Sequence, residues 1–308
     1  MTNYTTRETH SANSMKNQDP IIFRGLKSIT LADSQQQSLL RLAAEGISVY
    51  SPHTALDAAP KGLGDWLADI VTGTPISIQD EESKVEDKSA DVEERNEDPF
   101  IDSKRPTYKL SHHPSQRKIQ KTDLKMGASK HTRTAIKPST NAEVEGAGMG
   151  RIVRFEEKQD LSTIIDRIAR GVGNPKGFPI AIPQGKNVAD IKIKSVALCA
   201  GSGGSLFAGL EDVDLLFTGE LSHHEALAAI ERGQCVVTLF HSNTERGFLH
   251  SVLRGQLQEK VREEWARIRK EEDGKDEEMQ EVLEDESVVV ENSERDRDPY
   301  GLIIDAGL

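Results

Sequence analysis

Three short apolar runs, spaced by a glycine turn and a helix, constrain the fold of this chain more than any other feature. Residues 195–199 (SVALC), 213–218 (VDLLFT) and 235–240 (CVVTLF) each read as a buried strand. The Gly-rich turn of residues 200–205 follows the first run. Residues 222–232 (SHHEALAAIER), stopped by Gly233, read as a helix between the second and third. Such strand–helix–strand alternation implies a mixed or parallel sheet covered by helices. The expected fold class is therefore α/β.

Upstream, residues 34–45 (SQQQSLLRLAAE) read as a helix capped by Asp33 or Ser34. Leu39, Leu40 and Ala43 share one face, and Gly46 marks the stop. Residues 47–50 read as a short buried strand, 51–57 as the loop leaving its carboxyl end, and 64–71 as the start of another helix. Between 77 and 147 the character changes. An acidic run (QDEESKVEDKSADVEERNED) gives way to a basic one from Lys104 to Lys137, with too few apolar residues to offset ordering of the backbone. A disordered charged linker is expected there, although its basic half also has the composition of a nuclear-targeting or nucleic-acid patch. The predicted organisation is thus 1–18 disordered, 19–76 a first lobe, 77–147 linker, and 148–308 a second lobe. In that second lobe a long helix is expected to start near Thr244 and to continue as a charged helical extension near 260–286, with 287–291 and 300–305 as closing strands.

A chain of 308 residues is long enough for two domains. Its net charge of −12 argues against a protein that coats nucleic acid, whose binding face needs clustered Lys and Arg. Small anionic substrates stay compatible with it. The two cysteines, Cys199 and Cys235, lie inside apolar runs, which predicts buried free thiols rather than a disulfide framework. No stretch approaches the roughly 18–20 apolar residues of a membrane span. Residues 1–18 lack the apolar core of a secretory signal. The expectation is a soluble cytoplasmic protein, with a nuclear or mitochondrial fraction as the alternative.

In open α/β sheets, functional groups gather where loops leave the carboxyl ends of strands. Two loops here fit that position and carry metal-ligand side chains: Ser51-Pro52-His53-Thr54-Ala55-Leu56-Asp57 and His241-Ser242-Asn243-Thr244-Glu245. Imidazole nitrogen with carboxylate oxygen suits Zn, Mn, Fe or similar divalent ions. Each residue also has a plainer reading. Ser242 and Glu245 match an S-x-x-E capping box, His53 fits a core-edge histidine, and Asp57 fits a turn residue. The turn Gly201-Ser202-Gly203-Gly204-Ser205 can cradle phosphate with its N–H groups or serve only tight packing. It lacks both the G-K-[ST] of a P-loop and the third Gly of G-x-G-x-x-G.

The segments FRGLKSIT (residues 23–30), LLRLAAEGISVYSPHTALDAAPKGLGDWLA (39–68), VALCAGSGGSL (196–206), TGELSHHEAL (218–227), the His241–Glu245 loop and RDRDPYG (295–301) resemble the NIF-three-like family, also labelled GTP cyclohydrolase I type 2 homologs. The resemblance implies two α/β lobes flanking a cleft that holds two divalent metal ions, assembled into ring-shaped homo-oligomers. It implies Asp57, His241 and Glu245 as metal ligands, His53 as a nearby histidine able to shuttle protons, and His223 and His224 as a pair beside the cleft. One departure stands out. Asp19 occupies the position of a family ligand histidine that precedes Pro, and the strand–helix–strand before that loop has no counterpart, which makes the first lobe incomplete. Ser111-His112-His113-Pro114 imitates the missing element but lies in the expected linker. By resemblance the protein is a metal-dependent hydrolase, a non-catalytic metal-binding or interaction factor linked to transcriptional regulation, or a form with little of either activity.

Overall fold

The computed structural model of the chain describes residues 28–75, 128–140, 144–271, 277–293, 295 and 297–302. Its elements run α1 (Ser34–Ala44), α2 (Thr54–Ala58), α3 (Leu63–Thr72), β1 (His131–Thr134), β2 (Lys137–Pro138), β3 (Gly148–Met149) and β4 (Arg151–Asp160). Then come α4 (Leu161–Gly171), β5 (Ile180–Ala181), β6 (Lys192–Leu198), α5 (Gly204–Phe207), β7 (Leu215–Thr218), α6 (His223–Glu231) and β8 (Cys235–Thr238). After a 3₁₀ turn at Ser242–Thr244 follow α7 (Arg246–Phe248), a π turn at Leu249–Leu253, α8 (Arg254–Glu271) and α9 (Glu277–Glu284).

A six-stranded sheet of order β1-β4-β6-β7-β8-β5 forms the centre, and a small β2–β3 ribbon stands apart. β6, β7 and β8 are parallel, in the register Val196↔Leu215↔Cys235, while β4, β1 and β5 pair antiparallel. The three parallel strands are the three apolar runs of the sequence. Their side chains alternate between two buried faces. Val196, Leu198, Leu215, Phe217 and Val237 face a large core with α3 and α4, whereas Ala197, Leu216 and Val236 face a smaller one with Phe207 and Ala229.

α3 explains how residues far upstream join this sheet. LGDWLADIVT places Leu63, Trp66, Leu67, Ile70 and Val71 in the large core, and Gly73 ends the helix in the left-handed conformation at φ +71°. A partly buried ionic clip reinforces the packing. Asp65 accepts from Arg151 Nε (2.9 Å) and Nη2 (3.0 Å) and from Arg133 Nη1 (3.1 Å), and Arg133 Nη2 also donates to Asp69 (2.6 Å).

The structure corrects four expectations. Residues 47–50 form no strand: Tyr50 is 61% exposed, and among the described residues no strand lies beside them to pair with. The stretch read as linker through 147 contains β1, β2 and the ribbon turn, so order begins by residue 128. β1 (HTRT) needs few apolar residues because it is an edge strand whose Arg133 is satisfied by Asp65 and Asp69. Residues 287–291 run along α8 without entering a sheet. There the Gln258 side chain donates to Val288 O and accepts from Val290 N–H, taking the place of a strand neighbour. The fourth correction is the helix expected to start near Thr244, which is broken into 3₁₀, α and π turns before α8. Asp19, His112 and His113, with all of 77–127, lie outside the described residues.

Candidate functional site

β6, β7 and β8 end side by side and send three loops to one edge of the sheet. A hydrogen-bond lattice fastens them together. Gly201 N–H donates to Thr244 Oγ1 (2.9 Å), Thr218 Oγ1 and Glu220 N–H both donate to Gly201 O (3.0 Å each), and Thr244 Oγ1 donates to His241 O (2.7 Å). Gly203 N–H is taken by Glu220 O. Two N–H groups of the glycine turn, those of Gly201 and Gly203, are thus engaged within the protein, as close packing requires.

The packing is closest where the side chains meet. A Cβ on Gly201, whose φ is +61°, would stand 2.9 Å from His241 Nε2 and 3.4 Å from Glu245 Oε1. A Cβ on Gly219 would stand 2.6 Å from Gly201 O. These glycines leave His241 and Glu245 room to face each other: Nε2 lies 3.7 Å from Oε1, with the Glu245 side chain only 6% exposed. Two donors each about 2.1 Å from one ion stand at most about 4.2 Å apart, so this pair fits joint ligation of a divalent cation.

The local backbone that delivers His241 is unusual. Phe240 has φ +65°, a left-handed conformation that is costly for an aromatic residue. Its ring packs against Tyr300 at 6.1 Å, and Asp298 accepts from Ser242 N–H (3.3 Å) and Ser242 Oγ–H (3.1 Å). Ser242 is thus engaged with Asp298, and the Glu245 carboxylate faces the histidine. The capping box of this region forms instead at Ser222 and Glu225, where each side chain bonds the other's backbone N–H.

Asp57 arrives from the other side, on α2, behind His53, whose φ of +42° is also left-handed. Both side chains are half-buried. The Cys199 thiol, just past β6, feels both carboxylates. Burial first, and then the carboxylates of Asp57 and Glu245, push it up to about 12. Carboxylates from the two separate loops therefore act on one buried group. Among the described residues no set of three or more His, Cys, Asp or Glu side chains is close enough to hold an ion jointly. The arrangement is a histidine–glutamate pair with a second carboxylate, that of Asp57, in electrostatic reach. His223 and His224 are exposed at the start of α6, their rings edge to face at 5.5 Å.

Sequence reasoning missed Glu220, whose Oε1 lies 2.8 Å from His241 Nδ1. The available signal was positional, because Glu220 follows β7 much as His241 follows β8. Asp298 was also missed, although its segment RDRDPYG had been matched as a motif.

Fold and site together define a mixed α/β protein with a histidine–carboxylate constellation at the carboxyl ends of parallel strands. The sequence profile of the family Duf34/NIF3 (NGG1p interacting factor 3) matches residues 12–273, and the chain belongs to that family. The match begins at residue 12, inside the stretch 1–18 that none of the resembling segments includes. Among relatives, the fission yeast (Schizosaccharomyces pombe) Protein NIF3 homolog is 39% identical over 234 residues, covering 76% of this chain and 63% of its own length. NGG1-interacting factor 3 of Saccharomyces cerevisiae is 33% identical, covering 74% of this chain and 62% of its own length. This chain therefore spans somewhat under two thirds of either yeast relative. In structure it is similar to a Bacillus cereus protein related to NIF3, with a TM-score of 0.51 at 18% identity, covering 92% of this chain and 81% of that one.

Proposed function

We propose that the chain binds divalent metal through His241 Nε2 and Glu245, with Asp57 supplying a further carboxylate, and that it acts as a metal-dependent hydrolase. The observation that carries this reading is the 3.7 Å approach of His241 Nε2 and Glu245 Oε1 over Gly201, where a Cβ would crowd both. A divalent ion at such a place makes water acidic near neutral pH and polarises a substrate oxygen. The chain's own part is to supply negative charge from Glu245 and Asp57, to hold the imidazole, and to keep the Glu245 side of the site dry. Two ions, Asp19 and His53 as additional ligands, and a homo-oligomer are parts of the same proposal that rest on the family resemblance. No described helix is long and apolar enough to cross a membrane. Two buried free thiols suit a reducing compartment such as the cytoplasm.

Elemental analysis of the purified chain beside Asp57→Ala and Glu245→Ala tests the proposal. The expected result is bound Zn, Mn or Fe that falls in both variants, together with metal-stimulated hydrolysis of a simple phosphoester. Equal metal content in all three proteins would exclude these ligands. A second reading, a non-catalytic interaction factor, is favoured by the name of the Saccharomyces cerevisiae relative, NGG1-interacting factor 3. Metal uptake without hydrolysis, accompanied by a co-purifying protein, is its signature.

A further inference from the structure

We infer that Glu220 is a positioning residue for His241, fixing which ring nitrogen carries the proton and turning the other toward the site. The inference rests on the metal-binding reading above for its consequence, but on geometry alone for its cause. Glu220 Oε1 lies 2.8 Å from His241 Nδ1. A carboxylate only accepts, so in the neutral ring Nδ1 is the nitrogen that holds the hydrogen, and the Nε2 lone pair is left facing Glu245. Without Glu220 this acceptor at Nδ1 is lost, while the Glu245 carboxylate still lies 3.7 Å from Nε2. It would draw the hydrogen to Nε2 and remove the lone pair an ion needs.

The support is rigid on the backbone side. Glu220 N–H donates to Gly201 O (3.0 Å), Glu220 O accepts from Gly203 N–H (3.4 Å), and Ser202 and Glu220 form a parallel bridge. The glycine turn that leaves room for Nε2 thus also anchors the residue that aims it. Carboxylates that orient a ligand histidine typically change metal affinity by about 10–100-fold. The Glu220 side chain is half exposed, and water competes for its hydrogen bond, so the lower end of that range applies.

The test uses the full chain with ¹⁵N-labelled histidine. Long-range ¹H–¹⁵N spectra are recorded at a pH where the rings are neutral, and the His241 signal is assigned by its loss in His241→Gln. Zinc affinity is read separately by competition with a chromophoric chelator. Wild type is expected in the Nδ1–H form. Glu220→Gln, whose amide oxygen still accepts, should keep that form and most of the affinity. Glu220→Ala should shift toward Nε2–H and lose about tenfold in zinc affinity. An Nδ1–H ring and unchanged affinity in Glu220→Ala would overturn the inference. Should wild type bind no zinc while the tautomer still shifts, the metal proposal fails and the positioning role stands.

Discussion

A single Cβ separates a site from a steric collision at residue 201. Gly201 takes φ +61° and lies under both His241 Nε2 and Glu245 Oε1, so Gly201→Ala brings two penalties. The left-handed conformation costs an L-residue about 1–2 kcal/mol, which urea unfolding should detect. The methyl group also displaces the imidazole, so metal affinity should fall by more than the stability loss alone would cause. Asp65 makes the opposite case, a charge whose partners decide its worth. Burial works to raise its carboxyl, but Arg151, the Lys61 N–H and Arg133 outweigh this and hold it below the usual carboxylate range. A depressed carboxylate stabilises the fold fully above its unfolded value near 3.8 and loses that contribution as pH falls through the folded value. Asp65→Asn should therefore cost about 3 kcal/mol at neutral pH by leaving Arg151 uncompensated. The gap to wild type should narrow when urea titrations are repeated below about pH 4.

At the level of elements, legibility followed burial. β7, β8 and the second half of β6 are buried on both faces, so residues 195–199, 215–218 and 235–238 are nearly continuous apolar runs that read as strands. α3 was equally plain. What escaped were elements held by polar side chains. HTRT becomes β1 through Arg133 and the α3 carboxylates 64 and 68 residues upstream, and residues 287–291 are held by Gln258 rather than by a strand. The site divides the same way. His241 and Glu245 could be named from their place after β8 and from a resemblance, whereas Asp57 was named from the resemblance and from an expected strand at 47–50 that does not form. The Glu220–His241 contact depends on β7 and β8 being neighbours, which composition does not state. Cys199 offers a measurement at this scale. Its thiol is buried at the end of β6 and pushed up to about 12, so near pH 8 it is protonated as well as hidden. Alkylation by iodoacetamide should proceed no faster than unfolding of the sheet, and rapid labelling of the native chain would contradict the burial described here.

For the molecule as a whole, the question is how residue 57 and residues 241–245 stay in register across so long a stretch of chain. The link runs through the core. Phe248 lies one turn beyond Glu245 and is 1% exposed, and its ring meets that of Trp66 on α3 edge to face at 6.2 Å. α3 in turn follows α2, which carries Asp57. Truncation at this contact should therefore loosen both sides of the site, whereas an equally buried residue elsewhere should not. Ile193 is the comparison: it is fully buried in the same core but sits near the amino end of β6, away from the site. Phe248→Ala should cost about 3–5 kcal/mol and Ile193→Ala about 2–5 kcal/mol. Both are measured by urea denaturation under conditions where each variant is still folded. Only Phe248→Ala should also weaken zinc binding, because it removes the ring that joins the His241–Glu245 segment, through Trp66, to the helix that follows Asp57. If both variants lose affinity in proportion to their lost stability, the site follows global stability and no dedicated contact joins its two halves. If neither does, the His241–Glu245 pair holds its ion without help from residue 57.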